Sequence, residues 1–152
     1  MLFRSLRTYA AEGAIIITSA GNKAYYERIW KAPRRLDPDR LAQAPKKAAF
    51  IEVKDKYVLG DGGRSLELYR TQGDTHNATI LFGYLPKEKI LVEADDFTPG
   101  APDDHPMVPL AYGLADNLYS YVTRLKLDVM TLAPLHGRVA PFAELPKALG
   151  KS

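Results

Sequence analysis

The chain has 152 residues, 46% of them hydrophobic and 26% charged, which suits one domain with a buried core and excludes a disordered polar segment. It contains no cysteine, so disulfides, thiolate metal ligands and a cysteine nucleophile are all excluded. The net charge of +3 conceals an asymmetry: residues 1–56 carry 12 Lys/Arg against 6 Asp/Glu, whereas residues 57–152 carry 9 against 12.

The basic charges (Arg4, Arg7, Lys31, Arg34, Arg35, Lys46, Lys47) are scattered and follow no binding motif. They read as a solvated face, and no nucleic-acid partner is expected. No apolar run approaches the roughly 20 residues needed to cross a bilayer. The opening "MLFRSLRTYAAEG" lacks the uninterrupted apolar stretch of a secretory signal. No membrane partner is expected, and the cytoplasm is the default location.

In chain order, "SLRTYAAE" (5–12) predicts a helix stopped by Gly13. The β-branched run "AIIIT" (14–18) predicts a buried strand. Asn22 is placed to cap a helix over "KAYYERIW" (23–30), closed off by Pro33 and Pro38. Residues 31–47 read as an exposed connection. From Ala48 the period changes to alternation: "AAFIEV", "KYVL" and "SLELYR" are separated by Lys-Asp and Gly-Asp-Gly-Gly turn signals. "ATILFGYL" and "KILVEA" then form a hairpin around Pro86–Glu88, so residues 48–94 predict one antiparallel or mixed sheet.

After a loop over 97–110, "LADNLYSYVTRLKL" predicts a helix whose Leu114, Leu118, Tyr121, Val122 and Leu125 share an apolar face. "DVMTLAPL" (128–135) predicts a buried strand that runs into His136-Gly137-Arg138, and "FAELPKALG" a last short helix. There is no internal repeat. The class is α/β, with helices packed on a sheet.

Three polar positions share one address in this layout. His76 precedes a strand, Asp95 and Asp96 end the next, and His136 follows a later one. Imidazole nitrogens and carboxylate oxygens are ligands for zinc, iron and manganese, and loops at one edge of a rigid sheet hold such ligands well. The hairpin itself would bring His76 and Asp95 together at its open end. Glu93, Asp95, Asp96, Asp103 and Asp104 form an acidic cluster that attracts cations. On the residues alone, surface histidines and an Asp-Asp helix cap account for the same pattern. Trp30, Tyr25 and Tyr26 read as packing residues, His105 as a surface loop residue, and Gly62-Gly63 as a turn without the context of a phosphate loop.

The segments "GDTHNATILFGYLPKEKILVEADDFTPG" and "LDVMTLAPLHG" resemble the C-terminal half of metallo-β-lactamase-superfamily hydrolases. "LRTYAAEGAIIITSAGNKAYYERI" is similar to the stretch that follows that family's first metal motif, so the resemblance runs from about Leu6 to Leu149. It implies His76, Asp95 and His136 as metal ligands, zinc as the cofactor with iron or manganese as alternatives, and hydrolysis of a small-molecule substrate. Asp74, Asp96 and Thr98 would orient the ligands. The family's principal motif, His-x-His-x-Asp-His, occurs nowhere in this sequence.

The expectation is therefore a single truncated metallo-β-lactamase-like domain over 1–152: a half sandwich, with helices on a mainly antiparallel or mixed sheet. Three ligands hold one metal ion, and two-metal activation of water is not expected. Activity by this chain alone would be reduced or absent. The alternative is a non-catalytic, oligomeric structural or metal-binding relic. An apolar face meant for a missing half would drive self-association into a homodimer or higher homo-oligomer.

Overall fold

The computed structural model describes residues 2–47, 49–73, 79–100 and 109–151. They form two compact units that divide between Lys54 and Asp55.

The first unit holds α1 (Leu2–Glu12), β1 (Ile15–Ser19), α2 (Lys23–Trp30), α3 (Arg40–Gln43) and β2 (Ala49–Val53). Helix α1 stops where Gly13 takes φ +90°, a conformation that glycine adopts without a Cβ penalty. The amides of Gly13 and Ala14 donate to Ala10 and Tyr9 carbonyls that would otherwise be orphaned. Strands β1 and β2 pair in parallel, from Ile15 opposite Ala49 to Ser19 opposite Val53. A parallel pair needs a long crossover, and α2, α3 and their connections supply it.

Arg7 fastens this crossover. Its guanidinium is 1% exposed and donates to both oxygens of Asp39 at 2.5 and 2.8 Å, and to the carbonyls of Ile29 and Trp30 at 2.9 Å each. Asp39 also accepts the Ala42 amide at 2.9 Å, capping α3. The bond and charge of Arg7 hold the Asp39 carboxyl down at about 2.

The second unit holds β3 (Lys56–Gly60), β4 (Ser65–Arg70), β5 (Leu81–Leu85), β6 (Ile90–Glu93), α4 (Pro109–Arg124), β7 (Thr131–Pro134), β8 (Ala140–Pro141) and α5 (Glu144–Ala148). Its six strands lie in chain order, β3 to β8. Every neighbouring pair is antiparallel except β6 and β7, which run parallel with α4 as their crossover. Ala115, Leu118 and Val122 of α4 and Leu145 of α5 enter one core with Phe82, Leu91 and Leu132 of the sheet. Burying each of the leucine, valine and phenylalanine side chains contributes roughly 1.5–3 kcal/mol. This is the expected α/β class, a mixed and mainly antiparallel sheet carrying helices.

Four local expectations are corrected. The strands of 48–94 do not form one sheet: β2 joins β1, and the second sheet starts at β3. Asn22 makes no side-chain cap and instead donates to the Thr18 hydroxyl at 3.3 Å. The 31–47 connection contains α3, anchored by Leu41 at 4% exposure. Helix α4 ends at Arg124, so Leu125 lies outside its apolar face and is 38% exposed. Lys126 follows at φ 53° and turns the chain. Among the described residues, no helix is long and apolar enough to cross a membrane.

Candidate metal centre

The parallel register of β6 and β7 sets the geometry. Ile90 lies opposite Thr131 and Glu93 opposite Pro134. Carried two residues further, the same register puts Asp95 level with His136. Their side chains meet: His136 Nε2 is 3.1 Å from Asp95 Oδ1. The Leu135 amide donates to the Glu93 carbonyl at 2.9 Å, which prolongs the pairing past the strand ends. Both side chains are accessible, at 40% for Asp95 and 65% for His136.

Glu93 organises the turn beneath them. Along β6 the inward positions are Leu91 and Glu93, at 0% and 3% exposure. Glu93 Oε2 accepts the amides of Asp96 at 2.8 Å and Phe97 at 3.3 Å. Burial raises its carboxyl to about 7, against the lowering pull of those two amides; Asp95 adds a smaller raising effect. Its Oε1 is buried without a hydrogen-bond partner among the described residues. Asp96 is buried as well, at 2%. The expected acidic cluster is thus split: Glu93 and Asp96 turn inward and Asp95 alone of these three reaches solvent. Asp103 and Asp104 lie outside the described residues.

Gly137 closes the other side. It takes φ +89°, and a Cβ there would lie 3.0 Å from the Pro99 carbonyl oxygen and 3.1 Å from Thr98 Cγ2. Only glycine lets the His136 turn approach the 98–99 segment so closely. Next to it, Arg138 donates to the Gly100 carbonyl at 3.2 Å and pairs with Glu144 at 2.6 Å.

Of the three residues singled out in the sequence, the structure brings Asp95 and His136 together. His76 lies outside the described residues, as do Asp74 and His105. Among the described residues, no group of three His, Asp or Glu is assembled around one point. A carboxylate oxygen and an imidazole nitrogen at this spacing on a rigid sheet edge are a donor set that fits zinc, iron or manganese. Sequence reasoning missed Glu93 and Gly137 as supports of the site. The two-residue alternation of β6, Leu91 then Glu93, was the available signal for the first.

No family model and no curated protein matches the sequence. Solved structures do. A metallo-β-lactamase from Pontibacter korlensis superposes with a TM-score of 0.60 at 18% identity, over 95% of this chain and 60% of its own. An archaeal metallo-β-lactamase superfamily protein from Sulfolobus tokodaii gives 0.60 at 16% identity, over the same shares. This chain has the metallo-β-lactamase fold. The flavodiiron core of Flv1 from Synechocystis, studied after metal soaking, is also similar, with a TM-score of 0.63 at 19% identity over 97% of this chain and 38% of its own. The chain spans about 60% of the length of the first two structures.

Proposed function

We propose that this metallo-β-lactamase-fold chain is a hydrolase-like metal-binding protein with a partial site formed by His76, Asp95 and His136. By itself it hydrolyses small-molecule substrates weakly or not at all. The observation that carries the reading is the 3.1 Å approach of Asp95 to His136 at the ends of two parallel strands. The similarity in fold to metallo-β-lactamases and a flavodiiron core supports it.

Zinc is the proposed metal, with iron and manganese as alternatives. When bound, it supplies Lewis-acid polarisation of a substrate oxygen. Asp95 and His136 contribute a carboxylate and an imidazole at one edge of the sheet, and His76 completes the set. Glu93 positions Asp95 by holding the 95–97 backbone, and Gly137 lets the His136 turn sit against Thr98 and Pro99. Asp95 and His136 are both accessible to water, which suits weak turnover better than a closed catalytic pocket. The place of action is the cytoplasm.

A second reading, a non-catalytic homodimer or higher homo-oligomer, is favoured by one feature. Strand β3 is a sheet edge among the described residues, and it carries Val58 and Leu59 at 49% and 37% exposure.

The test is turnover of ester, lactam and phosphodiester substrates by the zinc-loaded chain, in parallel with His136→Ala and a chelated sample. Slow turnover lost in both controls supports the hydrolase reading. Turnover that survives chelation overturns it. Zinc uptake without turnover assigns the chain to the non-catalytic reading.

A further inference from the structure

The first unit contains a cavity of about 690 Å³ between α1, the connection after α2, α3 and β2. That volume lies within the range of small-molecule sites, roughly 300–1,000 Å³. All of its lining residues belong to the first unit, whereas Asp95 and His136 belong to the second.

Its wall is aromatic. Trp30 and Phe50 both line it and meet edge to face, with ring centroids 5.4 Å apart. Leu41, 4% exposed, adds an aliphatic surface. Six basic residues also line the cavity, against the single carboxylate of Glu27. Two of the six are engaged: Arg7 donates four hydrogen bonds to Asp39 and two carbonyls, and Arg34 Nε lies 4.0 Å from the same Asp39. The other four, Lys31, Arg35, Lys46 and Lys47, are exposed, and none makes an ion pair among the described residues.

The two parts select for different ends of one ligand. An aromatic wall favours a flat ring through stacking or edge contacts, while four exposed cations on the lining favour an anion and repel cations. A hydrated inorganic anion gains nothing from Trp30, and a neutral hydrocarbon nothing from the lysines. We propose that this cavity binds a small aromatic anion, its ring against Trp30 and Phe50 and its phosphate, sulfonate or carboxylate among Lys31, Arg35, Lys46 and Lys47.

The chain has one tryptophan, so the indole N–H signal of Trp30 in an amide NMR spectrum is a single reporter of the ring that lines the site. The probe is naphthalene-2-sulfonate titrated into the full chain. Naphthalene-2-methanol and inorganic sulfate serve as its neutral and ring-free counterparts.

The expected result is a saturable shift of the Trp30 signal at submillimolar sulfonate, at least tenfold tighter than the neutral analogue, with no shift from sulfate. Lys46→Glu with Lys47→Glu weakens the sulfonate at least fivefold. On the wild-type chain, raising salt from 0.1 to 0.5 M weakens the sulfonate and spares the neutral analogue, which serves as the test if the double variant does not fold. Absence of a saturable shift, equal affinity for the neutral analogue, or a salt-independent affinity overturns the proposal. So does a short single-stranded oligonucleotide that displaces the sulfonate at lower concentration, since that assigns the basic face to nucleic acid.

Discussion

Glu93 Oε2 accepts the backbone amide of Asp96 at 2.8 Å, inside a pocket where the glutamate is 3% exposed. That one carboxylate holds the turn on which Asp95 stands. Replacing it by alanine would leave two buried amides without an acceptor, each worth about 1–3 kcal/mol.

Glu93→Ala is therefore expected to lower stability by about 2–4 kcal/mol. It should also weaken metal uptake by roughly 10–100-fold, the usual scale for a residue that orients a ligand. Glu93→Gln keeps an oxygen for both amides and should stay within about 1 kcal/mol of the wild type. Urea unfolding and metal titration of the two variants check this. Equal losses in both would mean the negative charge matters rather than the acceptor.

Gly137 is expected to tolerate no side chain. At φ +89° an alanine is strained, and its Cβ would press on Pro99 oxygen at 3.0 Å. Gly137→Ala should cost about 2–3 kcal/mol from backbone strain and the close contact together. An unfolding midpoint unchanged from wild type would show that the 98–99 segment yields.

The Arg7–Asp39 pair carries a pH dependence whose sign follows from the depressed carboxyl. The folded Asp39 titrates at about 2, below the ordinary 3.8. Its contribution is thus complete above pH 3.8 and is lost as pH falls through about 2. Arg7→Ala leaves the Ile29 and Trp30 carbonyls without their donor and Asp39 without its main partner, and should destabilise the first unit by about 2–3 kcal/mol. Asp39→Asn should flatten the acid limb between pH 4 and 2, as followed by Trp30 fluorescence. An acid limb identical to that of the wild type would remove Asp39 from the account.

Much of the second unit was legible because its signals are local. Alternation in "SLELYR" and "LFGYL", the Pro-Lys-Glu-Lys turn and the helical spacing of Leu114, Leu118 and Val122 each set one element. What stayed hidden was non-local. Alternation gives a strand its faces without naming its partner, so nothing in "AFIEV" revealed that β2 turns back to β1. Helix α3 is one turn long, held by Asp39 and Leu41 within a Pro- and Lys-rich stretch whose composition reads as loop. The meeting of Asp95 with His136 depends on the β6–β7 register, which no spacing within either segment encodes. Sequence reasoning puts His76, Asp95 and His136 at one address, but the hairpin it rests on reaches only from Asp95 to His76, which lies outside the described residues.

The second reading predicts self-association through the exposed apolar edge of β3. Sedimentation should give a mass near twice the 16.9 kDa of one chain. Val58→Lys should shift the equilibrium towards monomer by at least tenfold in dissociation constant, since a lysine blocks edge pairing. A strictly monomeric wild type at high micromolar concentration would refute the oligomer.

The most direct measurement is metal content per chain, on protein purified without chelators or a histidine tag, with His136→Ala and Asp95→Ala alongside. The account predicts about one zinc, iron or manganese per wild-type chain, the stoichiometry of a three-ligand site, lost in both variants. A well-folded wild-type chain that carries no metal and takes up no added zinc would contradict it.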